Sequence, residues 1–186
     1  MLTRTDLKNP GQLIMNSGFP AQFVDVREGD VVVELGSDGI EKIAALSNSA
    51  DVVISNSVLK TASNKDQLFK EIYRVLKPYG QFCLSDLVVT EELPANVERA
   101  MNLYMGSSGG LMKKGKYLEC IEMNGFMAVR IREEELINID PHDLKGHLSE
   151  EEIANFGSRK FQMSRITVMA EKSCCGPVAL TCNVEC

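Results

Sequence analysis

The sequence predicts an α/β fold, a mostly parallel sheet closed by an antiparallel strand. Three stretches predict it. Ala50–Val89 has the strand–helix–strand order of a βαβ unit, which makes its two strands parallel with a right-handed crossover. Upstream, Val31–Leu35 is a β-branched run of strand character. Downstream, Phe161, Met163, Ile166, Val168 and Ala170 alternate over Phe161–Glu171, the pattern of a closing antiparallel strand.

Composition bounds the function classes. The chain has 186 residues, 44% apolar and 25% charged, the profile of one soluble globular domain with a real core. The net charge is −6 and no long basic run occurs, which argues against nucleic acid, since phosphate neutralisation needs clustered Lys and Arg. No run approaches the roughly 18 apolar residues of a membrane span, and Met1–Asn9 lacks a signal-peptide core. A cytoplasmic, reducing location is the expectation. The six Cys are then read as free thiols or soft-ion ligands rather than disulfides.

Taken in order, residues 1–28 form a weakly patterned N-terminal segment. Asn9-Pro10-Gly11 is a turn signal and Gln12–Ser17 fits one helical turn. Gly36-Ser37-Asp38-Gly39 is a turn after the first strand, and Ile40–Ser49 then runs directly into the Asp51 strand. Asp51–Ser55 is continuously apolar apart from its ends, as in a strand buried on both faces. Ser63 is a capping residue with Asp66 three positions on. Leu68, Phe69, Ile72, Val75 and Leu76 then recur at i, i+1, i+4, i+7 and i+8, one apolar helix face. Lys77-Pro78-Tyr79-Gly80 stops the helix, and Gln81–Val89 is the return strand. Asn56-Ser57 and Ser85-Asp86 leave the carboxyl ends of these parallel strands, where ligands sit in open α/β sheets.

Beyond Thr90-Glu91-Glu92-Leu93-Pro94, a helix is predicted from Val97, Met101, Leu103, Tyr104 and Met105, ended by Gly106-Ser107-Ser108-Gly109-Gly110. Its Met stripe reads as core. Lys113–Asn124 is a second amphipathic helix, with Leu118 and Ile121 inward and Cys120 or Glu122 beside them. Cys83 and Cys120 both read as buried structural thiols. Val129–Ile139 reads as a strand, although Arg132–Leu136 also suits a helix. His142 and His147 lie in a polar loop without clustered Cys and are not a metal site. Ser149–Phe156 is a short capped helix. Residues 29–172 thus make the domain, and residues 173–186 a tail with Cys174, Cys175, Cys182 and Cys186. The tail is either a flexible thiol segment or a soft-ion site for As(III), Zn or Cu(I). Vicinal Cys174-Cys175 is not the spacing of a zinc knuckle.

The wording ADVVISNSV, RVLKPYGQF and LSD resembles the fourth and fifth strands of class I S-adenosylmethionine-dependent methyltransferases, a Rossmann-like family. The longer run through DLVVTEELP, then LYMGSSGGL and Gly125-Phe126, is similar to arsenite methyltransferases, and the terminal Cys pattern also recurs there. The resemblance implies S-adenosylmethionine as cofactor and methylation of As(III) held by thiolates. Carried over by position, it implies cofactor contacts at Glu34, Gly36, Ser37, Gly39, Asn56, Ser57 and Asp86. A Gly-rich turn there lets the backbone approach the cofactor, where a Cβ would intrude. From the residues alone the same turn is also a plain strand-to-helix turn.

Departures from the family are specific. Asp38 stands at a usual Gly, Ser57 at a frequent Cys, and Ser107 at the arsenic-binding Cys. A hydroxyl is a poor ligand for soft As(III). Two βα units between the Gly turn and Asp51 are missing, and with them the carboxylate that holds the cofactor ribose. Such a hydrogen bond contributes roughly 1.5–3 kcal/mol, about one to two decades of affinity. The shortened sheet also leaves Val31–Leu35 as an apolar edge, a pairing hazard, and a homodimer covering that edge is the corresponding expectation. The alternative to an enzyme is a non-catalytic remnant that binds a thiophilic ion or a partner chain.

Overall fold

The computed structural model describes residues 2–6, 19–36, 42–158 and 162–174. In chain order the strands and helices are β1 (Leu2–Asp6), β2 (Val31–Leu35), β3 (Ala50–Asn56), α1 (Lys65–Val75), β4 (Leu76–Val89), α2 (Ala95–Met105), β5 (Met112–Lys113), α3 (Lys114–Met123), β6 (Phe126–Ile137), α4 (Glu150–Ser158) and β7 (Met163–Lys172). They form one sheet in the order β1-β2-β3-β4-β7-β6, with β5 beside β4. Strands β2, β3, β4 and β5 are parallel, and β7 enters antiparallel between β4 and β6. The α/β sheet with mostly parallel strands and an antiparallel closing strand is therefore present.

The expected open edge at β2 is not. β1 pairs antiparallel with it, Leu2 opposite Leu35 and Asp6 opposite Val31. The N-terminal segment thus supplies β2 with a neighbour on that side. A homodimer loses the edge on which it was inferred. The Gln12–Ser17 turn lies outside the described residues.

The α1 face is built as its spacing predicts: Leu68, Phe69, Ile72, Val75 and Leu76 are all buried. The cap differs. Asn64, not Ser63, is the N-cap, its Oδ1 accepting the Gln67 N–H at 3.0 Å. The return strand starts at Leu76, earlier than Gln81. Gly80 is needed there for close approach rather than for its backbone angle, since a Cβ would lie 2.8 Å from the Lys77 carbonyl oxygen. The left-handed residue is Tyr79, with φ 62°. Between α1, α3 and the sheet, Phe69 packs edge-on to Tyr117 and Phe126, and Phe82 to Phe126. On the other face a smaller cluster of Val32, Val52, Ile54 and Cys83 is covered by Phe23, Val24 and Val26. Burial pushes the Cys83 thiol up to about 12, so it is inert. Cys120 is only half-buried, with its thiol also raised, first by burial.

The helix α2 buries Val97, Ala100 and Met101, whereas Leu103 and Tyr104 are exposed. Those two were expected inward; three-residue spacing from Val97 to Ala100 sets the inner face instead. In α3 the buried pair is Tyr117 and Ile121, one turn apart. The segment Arg132–Leu136 is strand, not helix, within β6. At α4 a capping box forms, with the Ser149 N–H donating to Glu152 Oε2 at 2.8 Å and the Glu152 N–H to Ser149 Oγ at 3.3 Å.

The shortened connection before β3 is held by one helical pair. The Arg74 guanidinium donates to the carbonyl oxygens of Ile43 and Ala45, both at 2.9 Å, and to Glu71 at 2.8 Å. Glu71 in turn accepts the N–H of Ile43 at 3.0 Å, and Ile43 is itself a core residue. The Arg74 hydrogen bond holds the Glu71 carboxyl below its ordinary range. Charge-assisted bonds of this kind contribute roughly 1.5–3 kcal/mol. Arg74→Ala is expected to lower stability by about 3 kcal/mol, read from the urea midpoint. An unchanged midpoint would mean that the connection is held without this pair.

Candidate functional site

Two strand ends and two loops meet at one edge of the sheet. Ser55 Oγ donates to the Leu35 carbonyl at 2.7 Å, tying the carboxyl ends of β3 and β2 together. Asn56 is exposed at the end of β3, and its Oδ1 accepts from Ser57 Oγ at 3.2 Å. Ser57 sits at φ 66°, an uncommon angle for a residue with a Cβ, and its N–H donates to the Ser85 carbonyl at 2.6 Å. Such strain persists only where the surroundings over-determine it. Here β4 does so from the side. Glu34 and Gly36 stand at the end of β2, both partly exposed. Glu34, Gly36, Asn56 and Ser57 are therefore brought to one place, as expected. Ser37 and Gly39 lie outside the described residues.

Asp86 is the correction. It was expected to face the crevice, but it is 1% exposed. Its carboxyl accepts the Leu59 N–H at 3.0 Å and the Tyr117 hydroxyl at 3.5 Å. Burial pushes it up to about 7, against the opposing effect of those two bonds and of Lys65. The side chain fixes the loop after β3 from below and offers nothing to a ligand. Strand alternation explains this. Leu84, Asp86 and Val88 share the face of β4 that packs on the helices.

The second loop docks on the first. Ser107 Oγ donates to the Lys60 carbonyl at 2.6 Å, and the Gly109 N–H to the same oxygen at 2.7 Å. Ser108 Oγ reaches the Thr61 carbonyl at 3.3 Å, and Lys65 Nζ donates to the Gly109 carbonyl. A Cβ on Gly109 would overlap the Ala62 carbonyl and lie 2.9 Å from that of Leu59. Burial lowers the Lys65 ammonium, with Asp86 and Glu98 opposing. Sequence reasoning missed Lys65 and Tyr117. Tyr117 was legible as the residue one turn before Ile121; Lys65, a polar residue in the first turn of a helix, gave no signal.

Among the described residues no three His, Cys, Asp or Glu side chains are grouped to hold a metal ion. Of the four tail thiols, Cys174 is described and exposed; Cys175, Cys182 and Cys186 lie outside the described residues. No helix among the described residues is long and apolar enough to cross a membrane.

Residues 27–125 match the family described as methyltransferase domain. The arsenite methyltransferase of Mus musculus is 29% identical over 149 residues, 80% of this chain and 37% of that protein. The arsenite methyltransferase of Halobacterium salinarum is 32% identical over 99 residues, 53% of this chain and 25% of that protein. Among solved structures, an arsenic(III) S-adenosylmethionine methyltransferase from Chlamydomonas reinhardtii matches with a TM-score of 0.56 at 27% identity, covering 70% of this chain and 40% of that one. The chain thus spans well under half the length of these relatives.

Proposed function

The chain belongs to the methyltransferase domain family, and on that footing we propose that it binds S-adenosylmethionine at the carboxyl ends of β2 and β3 and acts on a thiophilic As(III) acceptor. The observation that carries this reading is the Asn56–Ser57 turn, held in a strained backbone by β4 beside the end of β2. Glu34, Gly36, Asn56 and Ser57 fit such a cofactor in kind and position. Asp86 does not, being enclosed by Leu59 and Tyr117. When bound, the cofactor supplies a sulfonium methyl group for in-line displacement. The protein's part in such a transfer is positioning. Asn56 has its Nδ2 unengaged among the described residues and is the donor we assign to the cofactor. In this reading the four tail thiols, Cys174, Cys175, Cys182 and Cys186, hold the acceptor, and a reducing, cytoplasmic location keeps them reduced.

A second reading is favoured by Ser107. It occupies the place of a thiolate ligand, and its hydroxyl is engaged by the Lys60 carbonyl. In that reading the chain is a non-catalytic remnant whose tail binds a soft ion or whose sheet binds a partner chain. Calorimetric titration separates the two. Saturable S-adenosylmethionine binding, weakened about tenfold in Asn56→Leu (about 1.4 kcal/mol), supports the first. Absence of heat at millimolar cofactor, in a sample folded by circular dichroism, overturns it. As(III) titration of the same sample, with and without Cys174→Ser and Cys175→Ser, then tests the second.

A further inference from the structure

The Gly106–Gly110 loop has a second side. Gly109 packs on Ala62, while Gly110 faces Glu98 and Leu111 enters the wall of a separate cavity of about 300 Å³. Its floor is apolar, from Val89, Leu93 and Leu111, which belong to the α2 core cluster. Its walls carry both signs of charge. At one side Glu92 and Lys116 satisfy each other at 2.5 Å. Glu98 and Lys113 also line the cavity, and among the described residues neither forms an ion pair. Gly110 leaves the carboxylate accessible, since a Cβ there would lie 3.3 Å from Glu98 Oε1.

The charge pattern restricts the ligand. A simple anion would meet Glu98 and Glu92. A simple cation would meet Lys113 and Lys116, with Lys65 already within the field of Glu98. Glu98 lies in the field of Lys65 and Lys113 in that of Glu92, but neither makes a direct ion pair among the described residues, so a molecule carrying both charges complements both groups. The volume lies at the lower end of small-molecule sites, and half of the lining residues are charged, set around the apolar floor.

We propose that this cavity binds a small zwitterion with an apolar body, the chemistry of an α-amino acid, its ammonium received by Glu98 and its carboxylate by Lys113. Leu111 continues directly from the docked loop, so the occupant touches the segment that covers the Asn56–Ala62 loop. Binding here is independent of the cofactor reading above.

The test uses the full chain without cofactor. L-Norleucine, pentylamine and hexanoate are titrated by ligand-observed NMR at pH 7. Norleucine is expected to saturate, at least about tenfold tighter than either single-charge analogue. Glu98→Gln should weaken norleucine about tenfold and tighten hexanoate, and Lys113→Met should weaken norleucine and tighten pentylamine. Both substituted side chains are at the cavity wall, and a melt confirms folding. Equal affinities for the three probes, no saturation by about 20 mM, or wild-type binding in both variants would overturn the assignment.

Discussion

Between pH 4 and pH 8, Asp86→Asn should gain roughly 3 to 4 kcal/mol of stability over the wild-type protein. The carboxyl of Asp86 is raised from 3.8 to about 7 in the folded chain, chiefly by burial. A raised carboxyl favours the folded state while protonated. Its stabilising contribution is complete below about pH 4, falls as pH rises towards 7, and stays lost above. The folded state binds a proton that the unfolded state releases across that window, so stability declines with pH. Asn cannot ionise. It keeps an acceptor for the Leu59 N–H, and its amide can donate to the Tyr117 hydroxyl. The two proteins should therefore be similar near pH 4 and diverge upward. Glu71 works in the opposite direction, since its lowered carboxyl stabilises the folded state above its unfolded value and is lost on acidification. That contribution is common to both proteins and cancels. Urea denaturation across the range measures the gap, and parallel profiles would show that Asp86 stays ionised in the folded protein.

Gly109→Ala should cost about 3 kcal/mol, the upper range for inserting one methyl into a closed site. The obstacle is backbone on both sides, the carbonyls of Ala62 and Leu59, which cannot swing away as a side chain could. Relief requires the Gly106–Gly110 loop to lift, which breaks the bonds from Ser107 and Gly109 to Lys60 and from Lys65 to Gly109. Faster proteolysis within residues 106–110, with a lower urea midpoint, is the expected pair of results. A variant as stable and protease-resistant as wild type would mean that the loops are not interlocked.

The helical and central-strand periods carried most of the fold. Leu68, Phe69, Ile72 and Val75 declared the face of α1, and the run from Asp51 to Ser55 declared a buried strand. Both signals are local, which is why they were legible. β1 was not, because Leu2-Thr3-Arg4-Thr5-Asp6 has a single strongly apolar residue, and its partner lies some 30 residues away. Burial of Asp86 was hidden for another reason. Alternation in β4 shows which residues share a face, but the mean polarity of Ser85-Asp86 suggested an open strand end. What encloses Asp86 is the Leu59 N–H and Tyr117, and neither pairing has a sequence signature. The convergence of the Asn56 and Gly106 loops was anticipated only as separate motifs; their interlock rests on backbone carbonyls, which every residue possesses.

β1 has one more consequence. It touches the sheet through β2 alone, so its release needs only one ladder to open, whereas β3, β4 and β7 are each flanked on both sides. Edge elements held by a single ladder detach at lower free energy than the whole molecule unfolds. Self-association of this protein would then follow the fraying of Leu2–Asp6, through the newly bared apolar ladder of Val31–Leu35, under conditions in which the core is still intact. Colloidal behaviour and global stability become separate properties, one governed by a short polar strand and the other by the aromatic core behind it.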